Sequence, residues 1–405
     1  MEFRDSPEEA AFRDRLRSWL ATTAKQFPTS GDEYWAKQPE WHRALYSAGF
    51  FGLSWPNEFG GQDLPPVYDV ILDEELAIAG APARPSLGYL VIGLGHHGSK
   101  ELQQEFLPGM INGTERWCQG FSEPGAGSDL ASLTTTATRE GDEYVIHGHK
   151  IWTSYSDVAD WCLLLARTEP DKPRHKGISA FIVDMHQDGI EQRPLKMISG
   201  VTKEFGQVLF DGARVPASRM VGNPGEGWKL AMTVVGHERE PSTLGFAARY
   251  AKTVRELAAR SDGPPSDELA WAAVQSEMLR LHVRRRLSEQ LDGLVHGSEG
   301  SLDKLLMTWS NSRWGGMRRC RRPGLATPRC SARTCTAARS PSWAARRRSR
   351  RTSWPRASSD WEFDMYDMPE EIDVRADGSL RIITLNRPDA LNAVNDDLHH
   401  GLAQL

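Results

Sequence analysis

The sequence predicts an α+β multidomain fold: an N-terminal helical domain, a middle antiparallel β-domain and an incomplete C-terminal helical bundle. Three observations predict it. Helical stretches broken by Gly and Pro run to about Lys100, short strands rich in Val, Ile, Thr and aromatics follow from about Trp117 to Asp211, and helical periodicity then returns until Trp309. These changes draw boundaries at 1–116, 117–222 and 223–309. Residues 310–367 form an arginine-rich stretch expected to be disordered, and 368–405 a separate fragment.

At the start, "SPEEAAFRDRLRSWL" offers Ser6 as a helix N-cap, Pro7 in the first turn and Glu9 at the reciprocal capping position. Phe12, Leu16, Trp19 and Leu20 then share one helical face. In "AGFFGLSWPNEFGG", Trp55-Pro56 and Gly60-Gly61 prevent helix continuation. The strands read as "EYVIHGHKIWT", "DWCLLLART", "ISAFIVDM" and "GQVLFDGARV", separated by Gly, Asp and Pro. After "NPGEGW" the helices are "WKLAMTVVGHERE", "TLGFAARYAKTVRELAAR", "ELAWAAVQSEMLRLHVRRRLSEQLDGLV" and "SLDKLLMTW".

A chain of 405 residues can bury a sizeable core in two or three domains. It has no apolar run of eighteen residues and no basic-then-apolar opening, so neither a membrane span nor a signal peptide is expected and a cytoplasmic location is the default. Three of the five cysteines (Cys320, Cys330, Cys335) lie in the arginine-rich stretch, and Cys118 and Cys162 stand singly in apolar surroundings, a pattern without a disulfide framework. The net charge of -5 hides an asymmetry, with nearly all the excess basicity between Arg313 and Arg356. An acidic body with one basic block could be a nucleic-acid binder with an arm.

Two segments carry the chemistry. "QGFSEPGAGSDLASLTTTA" joins Gly-rich turns to small hydroxyl residues, as is expected where backbone must approach a ligand and donate amides to it. Thirty residues on, "HKIWTS" puts an indole and two hydroxyls at a strand end. Each alone is weak, because a Gly-rich loop is more often a turn and a strand Trp more often core. Together they resemble the acyl-CoA dehydrogenase family, whose flavin signature pairs a "TEPGAGSD"-like loop with a "KxWITN"-like strand. "WHRALYSAGFFGLSWPNEFGG", "ISGVTKEFGQVLFDGARVP" and "NPGEGWKLAM" extend the resemblance over roughly residues 6–309 in the family's order.

That resemblance implies FAD between the middle domain and the C-terminal helices, an acyl-CoA substrate, electron-transfer flavoprotein as acceptor, and a homodimer, homotetramer or heteromer. It implies that Gln119, Phe121 and Ser122 present groups to the flavin ring and that Ser128 sits where the loop meets the pyrophosphate and the acyl-CoA. Trp152 would pack on the ring, and Ser154 takes the place of the threonine that hydrogen-bonds flavin N5. Because "WTSYS" departs from "WITNG", Thr153 is a candidate to share that role. No metal is implied.

The implied reaction needs a carboxylate to remove a proton α to a thioester while hydride leaves the β carbon, which requires a dry site. In this family that base lies before a Gly-Thr pair near the C-terminus or, less often, on the first helix after the β-domain. "VVGHERE" places Glu238 at the second location, with Arg239 beside it as a substrate-binding candidate. Local sequence alone favours a plainer reading, in which Glu238 pairs with Arg239 or caps a helix.

After Trp309 the family's Gly-Thr pair is missing and periodicity is lost. Arginine, alanine, proline, serine, cysteine and tryptophan without lysine or acid is what GC-rich DNA encodes out of frame. One permitted codon set for Trp309 to Cys320, read from its third base, gives V-E-Q-S-V-G-R-H-A-A-L, a resumed helix. From Pro341 the same shift can give E-L-G-G-T-A-A-Q-P-A-H-I-V-A-E-G-L-L-G, close to the family's closing segment. One point is forced: Trp343 has a single codon, so with Ala344 and Ala345 the shifted frame reads glycine and then a codon ending in GC, neither of which is glutamate. The common base is therefore absent, which turns the assignment to Glu238. The basic block needs no nucleic-acid role, although such a stretch would bind phosphate nonspecifically.

From Met368, "MPEEIDVRADGSLRIITLNRPDALNAVNDDLHHGLAQL" shows strand alternation and resembles the opening of the enoyl-CoA hydratase (crotonase) family through its "ITLNRPxxxNA" match. That family's catalytic groups lie later in its chain, so the fragment carries no complete hydratase site. The function expected is FAD-dependent α,β-dehydrogenation of an acyl-CoA. The alternative is a non-enzymatic chain, either a defective product or a noncatalytic flavin- or CoA-binding subunit of a heteromer.

Overall fold

The computed structural model describes residues 5–197, 204–238, 246–259, 266–292 and 294, with two strands at 372–377 and 380–385. Arg239, the helix read in "SLDKLLMTW" and the arginine-rich stretch lie outside the described residues.

The N-terminal domain is helical: α1 (Pro7–Thr23), α2 (Gly31–Ser47), α3 (Val67–Ala79), α4 (Gly88–His97) and α5 (Lys100–Asn112). The capping box forms as the sequence predicts. Glu9 N donates to Ser6 Oγ at 3.2 Å and Ser6 N donates to Glu9 Oε2 at 2.8 Å. Phe12, Leu16 and Leu20 are buried, and Trp19 stacks on Trp41 with ring centroids 5.6 Å apart. The helix-breaking Gly-Gly is sterically required: a Cβ on Gly61 would fall 2.1 Å from the Trp55 carbonyl oxygen.

The middle domain is one sheet of β1 (Trp117–Gly120), β2 (Thr136–Glu140), β3 (Glu143–Ser154), β4 (Trp161–Arg167), β5 (Ile178–Asp184), β6 (Ile190–Pro194), β7 (Phe205–Pro216) and β8 (Met220–Val221). Its order is β6-β7-β3-β2-β4-β5-β8, with β1 alongside β4. Pairing is antiparallel except that β1 and β2 run parallel to β4, because both enter from connections that cross rather than from hairpins. The central strands β4 and β5 are buried on both faces, which is why "CLLLA" and "ISAFIV" read as unbroken apolar runs. β7 alternates, with Val208, Phe210, Ala213 and Val215 turned into the core.

The C-terminal part supplies α6 (Gly227–Glu238), α7 (Phe246–Ala259) and α8 (Asp267–Leu291). Helix α4 packs closely on α6 because position 93 is glycine: a Cβ there would meet Val234 Cγ2 at 2.5 Å. Ionic contacts tie α3 to α1, with Arg13 donating to Glu75 Oε1 at 2.7 Å and Arg17 to Glu75 Oε2 at 2.8 Å.

Two compact units are distinguished. One holds residues 1–124 and 133–315, the domains above. The other comprises Gly125–Ser132, closed by Ser132 Oγ donating to the Asp129 carbonyl at 2.7 Å, together with the C-terminal residues, where β9 (Ile372–Asp377) and β10 (Leu380–Leu385) pair antiparallel. No described helix is long and apolar enough to cross a membrane.

Candidate active site

β1 and β3 bring the two motif segments together. β1 delivers Gln119 and leads into the turn that carries Phe121, Ser122 and Glu123, and the far end of β3 carries Lys150 through Ser154. The register of β3 against β7 slips between Lys150 and Thr153, a bulge that lifts Trp152 out of the sheet plane. Ile151 N, within the slip, donates instead to the Ser122 carbonyl at 2.9 Å. Ser122 and Trp152 are thereby neighbours.

The junction is fastened by a buried ion pair. Lys150 Nζ donates to Glu123 Oε1 at 2.9 Å and to the Phe121 carbonyl at 3.0 Å, and the side chain is wholly buried. Thr134 donates to Glu123 Oε2 through both N and Oγ1 at 2.7 Å, and Thr135 N donates to Oε1 at 2.9 Å. Burial works against charge on Glu123, yet the Lys150 ammonium and the hydrogen bonds of Thr135 and Thr134 hold its carboxyl at about 2. Burial draws the Lys150 amine down to about 8, opposed by Glu123, so both groups are ionised at neutral pH. Five polar contacts on one pair satisfy the condition under which a buried ion pair is retained.

Trp152 is 56% exposed, with φ of 60° in the left-handed region that non-glycine residues seldom adopt. The core reading of this tryptophan is therefore overturned: the bulge turns the indole outward, and its aromatic contact among the described residues is an edge-on one with Phe205 at 6.1 Å. A large exposed indole on strained backbone, over-determined by the ion pair below it, is a feature of ligand sites. Thr153 is fully buried, and its Oγ1 has no hydrogen-bond partner among the described residues. Ser154 and Gln119 are half-buried and line one cleft with Tyr89, Tyr155, Trp35 and Cys118. Phe121 is buried, Ser122 half-buried, and Ser128 exposed within the Gly125–Ser132 segment. Glu238 is half-buried at the last position of α6. An outward indole, an unpaired buried hydroxyl and an amide and a hydroxyl on one cleft fit a flat, hydrogen-bonding ring such as a flavin.

Sequence reasoning missed Glu123, Lys150 and Tyr89. Lys150 carried a signal, being a lone charge one residue before the apolar pair "IW" at the end of a core strand. Tyr89 carried none, because it comes to the cleft from α4, outside both motif segments.

Comparisons with known proteins agree with this geometry. The family profile "Acyl-CoA dehydrogenase, N-terminal domain" matches residues 6–114, and "Acyl-CoA dehydrogenase, middle domain" matches 118–213. The protein named acyl-CoA dehydrogenase IpdE1 of Mycobacterium tuberculosis is 42% identical over 258 residues, 61% of this chain and 67% of its own. The protein of the same name from Mycolicibacterium smegmatis is 37% identical over 329 residues, 75% of this chain and 83% of its own. Among solved structures, one titled Tcur3481-Tcur3483 steroid ACAD matches with a TM-score of 0.69 at 31% identity, covering 77% of this chain and 84% of that one. The ChsE4-ChsE5 complex from Mycobacterium tuberculosis matches with a TM-score of 0.64 at 30% identity, covering the same shares, 77% and 84%. The chain belongs to the acyl-CoA dehydrogenase family. Members of that family are FAD-dependent oxidoreductases of lipid metabolism, and dehydrogenation of an acyl-CoA thioester is the class of activity to which this chain is assigned.

Proposed function

We propose that this chain binds FAD at the junction of the Ser122 turn and the end of β3, and that Glu238 removes the α proton of an acyl-CoA. Bound FAD supplies the hydride acceptor. Trp152 would cover one face of the ring; Gln119, Phe121 and Ser122 would present polar groups to its edge, and Ser154, with Thr153 beside it, would donate the hydroxyl contact. Ser128 is proposed as a cofactor- and substrate-binding residue on the strength of its place in the motif. Arg239, next to the base, is kept as a substrate-binding residue. The observation that carries this reading is the Glu123–Lys150 pair, which with the Ile151–Ser122 bond draws the turn and the indole together. Glu238 needs a water-poor setting to act as a base, and its half-buried position at the end of a helix packed on α4 is consistent with that role.

The domain limits proposed remain 1–116, 117–222 and 223–309. We further infer that 310–367 is read from a shifted frame, so that the last helical domain is truncated, and that 368–405 is a crotonase-like opening joined on by the same event. Sequencing the coding DNA around codon 309 tests this, and an unbroken frame in an independent isolate that still encodes the arginine block would overturn it. Electron-transfer flavoprotein is the acceptor proposed, and the chain would assemble as a homodimer or homotetramer or with a second dehydrogenase chain. A steroid-bearing acyl group and a two-chain assembly both draw support from the titles of the solved relatives.

The purified chain is expected to be yellow, with a flavin spectrum that bleaches anaerobically on adding the matching acyl-CoA from a panel of butyryl-, octanoyl-, palmitoyl- and steroid-carboxylate thioesters. A colourless soluble protein would reject the reading. Glu238→Gln is expected to keep the flavin and lose the bleaching. A second reading, a flavin-binding subunit without turnover of its own, is favoured by the two-chain relatives. It predicts a yellow chain that every thioester leaves oxidised until a partner chain is added.

A further inference from the structure

Three residues beyond Trp152 the chain carries a second backbone outlier. Tyr155 has φ of 61°, again in the left-handed region. It stands where the "WITNG" pattern has asparagine, a residue that adopts this conformation readily, whereas a bulky ring there costs strain. The strained position brings a phenol to a cleft: Tyr155 is half-buried, lines the same cleft as Gln119 and Ser154, and packs against Trp35 of α2 with ring centroids 5.5 Å apart. A second phenol reaches that cleft from α4, the half-buried Tyr89. Neither hydroxyl has a hydrogen-bond partner among the described residues, and neither oxygen is sealed from solvent. Burial raises both phenols well above their ordinary range, so both stay protonated and able to donate.

We propose that Tyr89 and Tyr155 are specificity-determining donors that select an acyl group bearing a ketone or hydroxyl oxygen beyond its reacting α and β carbons. This deepens, and rests on, the reading of the cleft beside Gln119 and Ser154 as the place where the acyl group is dehydrogenated. In the open cleft both hydroxyls can donate to solvent. A plain hydrocarbon group that filled the cleft would displace the solvent and offer no acceptor, leaving two donors unpaired. An oxygen on the acyl group restores the lost bonds, so the discrimination comes from the donors that a plain group leaves empty. The Trp35 and Tyr155 rings, with Pro39 and Pro85 on the same cleft, offer stiff, flat surface that suits a ring-bearing acyl group better than a flexible chain.

The test compares matched pairs of CoA derivatives, cyclohexylpropanoyl and steroid-carboxylate, each with and without a ring ketone. Binding to the purified full chain is read by calorimetry with the CoA thioethers, which lack the carbonyl that acidifies the α proton and so do not react. Turnover is read by anaerobic bleaching with the thioesters. In at least one pair the parent is expected to bind the ketone about a hundredfold more tightly, about tenfold for each donor. Tyr89→Phe and Tyr155→Phe keep the rings and remove only the hydroxyls. Each is expected to cut that preference about tenfold while leaving the affinity for the plain ring unchanged. Equal binding within both pairs by the parent would overturn the proposal, and so would a variant that weakens both members of a pair alike, which would mark the phenols as packing. A ketone preference in the thioethers beside a chain that no thioester bleaches would instead defeat the reading of dehydrogenation, so the two failures are told apart.

Discussion

Lys150 Nζ lies 2.9 Å from Glu123 Oε1, in a pocket where the lysine side chain has no solvent exposure. The pair joins residues 27 apart in sequence and sits directly beneath the bulge that presents Trp152. Its energetic meaning lies in what its loss would leave behind.

Lys150→Met would strand a buried carboxylate whose other partners, Thr134 and Thr135, donate to its two oxygens and so favour its charged form. Breaking one side of such a pair typically destabilises by about 3–5 kcal/mol. Denaturant unfolding of Lys150→Met is expected to show a loss of that order together with loss of flavin. The double variant Glu123→Gln with Lys150→Met removes the stranded charge and should recover a large part of the stability. Equal stability in the single and double variants would show that the charge is not the cause.

His42 gives the chain an acid sensitivity of separate origin. Burial, against a weaker effect of its Ile111 carbonyl contact, lowers the imidazole to about 4 from an ordinary value near 6.5. The unfolded chain thus binds a proton on this ring that the folded chain refuses. Stability is full above about pH 6.5 and falls as pH drops toward 4, by up to about 3 kcal/mol at the end of the window. Glu123, depressed to about 2, loses its own contribution only below about pH 4.5. Unfolding midpoints between pH 7 and 4.5 should therefore slope downward in the parent and be flatter in His42→Gln, and parallel slopes would reject the assignment.

The order of elements was legible in the sequence because each rests on local physics. The Ser6 and Glu9 capping box, the Gly60-Gly61 break and the apolar runs of β4 and β5 depend on residues close together in the chain, so their pattern survives without the fold. The parallel entry of β1 beside β4 was not legible, since strand direction is set by connections and leaves no mark on composition. Trp152 shows the same limit at the site. Its residue type argues for core, and only the slipped register between Lys150 and Thr153 turns it outward. The close crossing of α4 on α6 likewise depends on Gly93 and Val234, residues 141 positions apart.

That helix crossing makes a sharp steric prediction at Gly93. An added Cβ would fall 2.5 Å from Val234 Cγ2, well inside contact distance, so one helix must move. Gly93→Ala is expected to destabilise by about 1–3 kcal/mol despite alanine's better helix propensity. Adding Val234→Ala makes room and should restore part of the loss. A Gly93→Ala variant as stable as the parent in thermal unfolding would show that α4 and α6 are less tightly packed than described.

Trp152 separates folding from ligand contact most cleanly. Its φ of 60° is strained for tryptophan but unstrained for glycine, and the indole is 56% exposed with an edge-on contact to Phe205. In Trp152→Gly, relief of strain and loss of the ring contact have similar size and opposite sign. The flavin-free chain should therefore unfold within about 1 kcal/mol of the parent, where truncating a core tryptophan would cost about 3–5 kcal/mol. The same variant should retain far less flavin after gel filtration, because the surface offered to the ring is gone. If it unfolds several kcal/mol earlier, the indole is supporting the fold; if it stays yellow, the ring lies elsewhere.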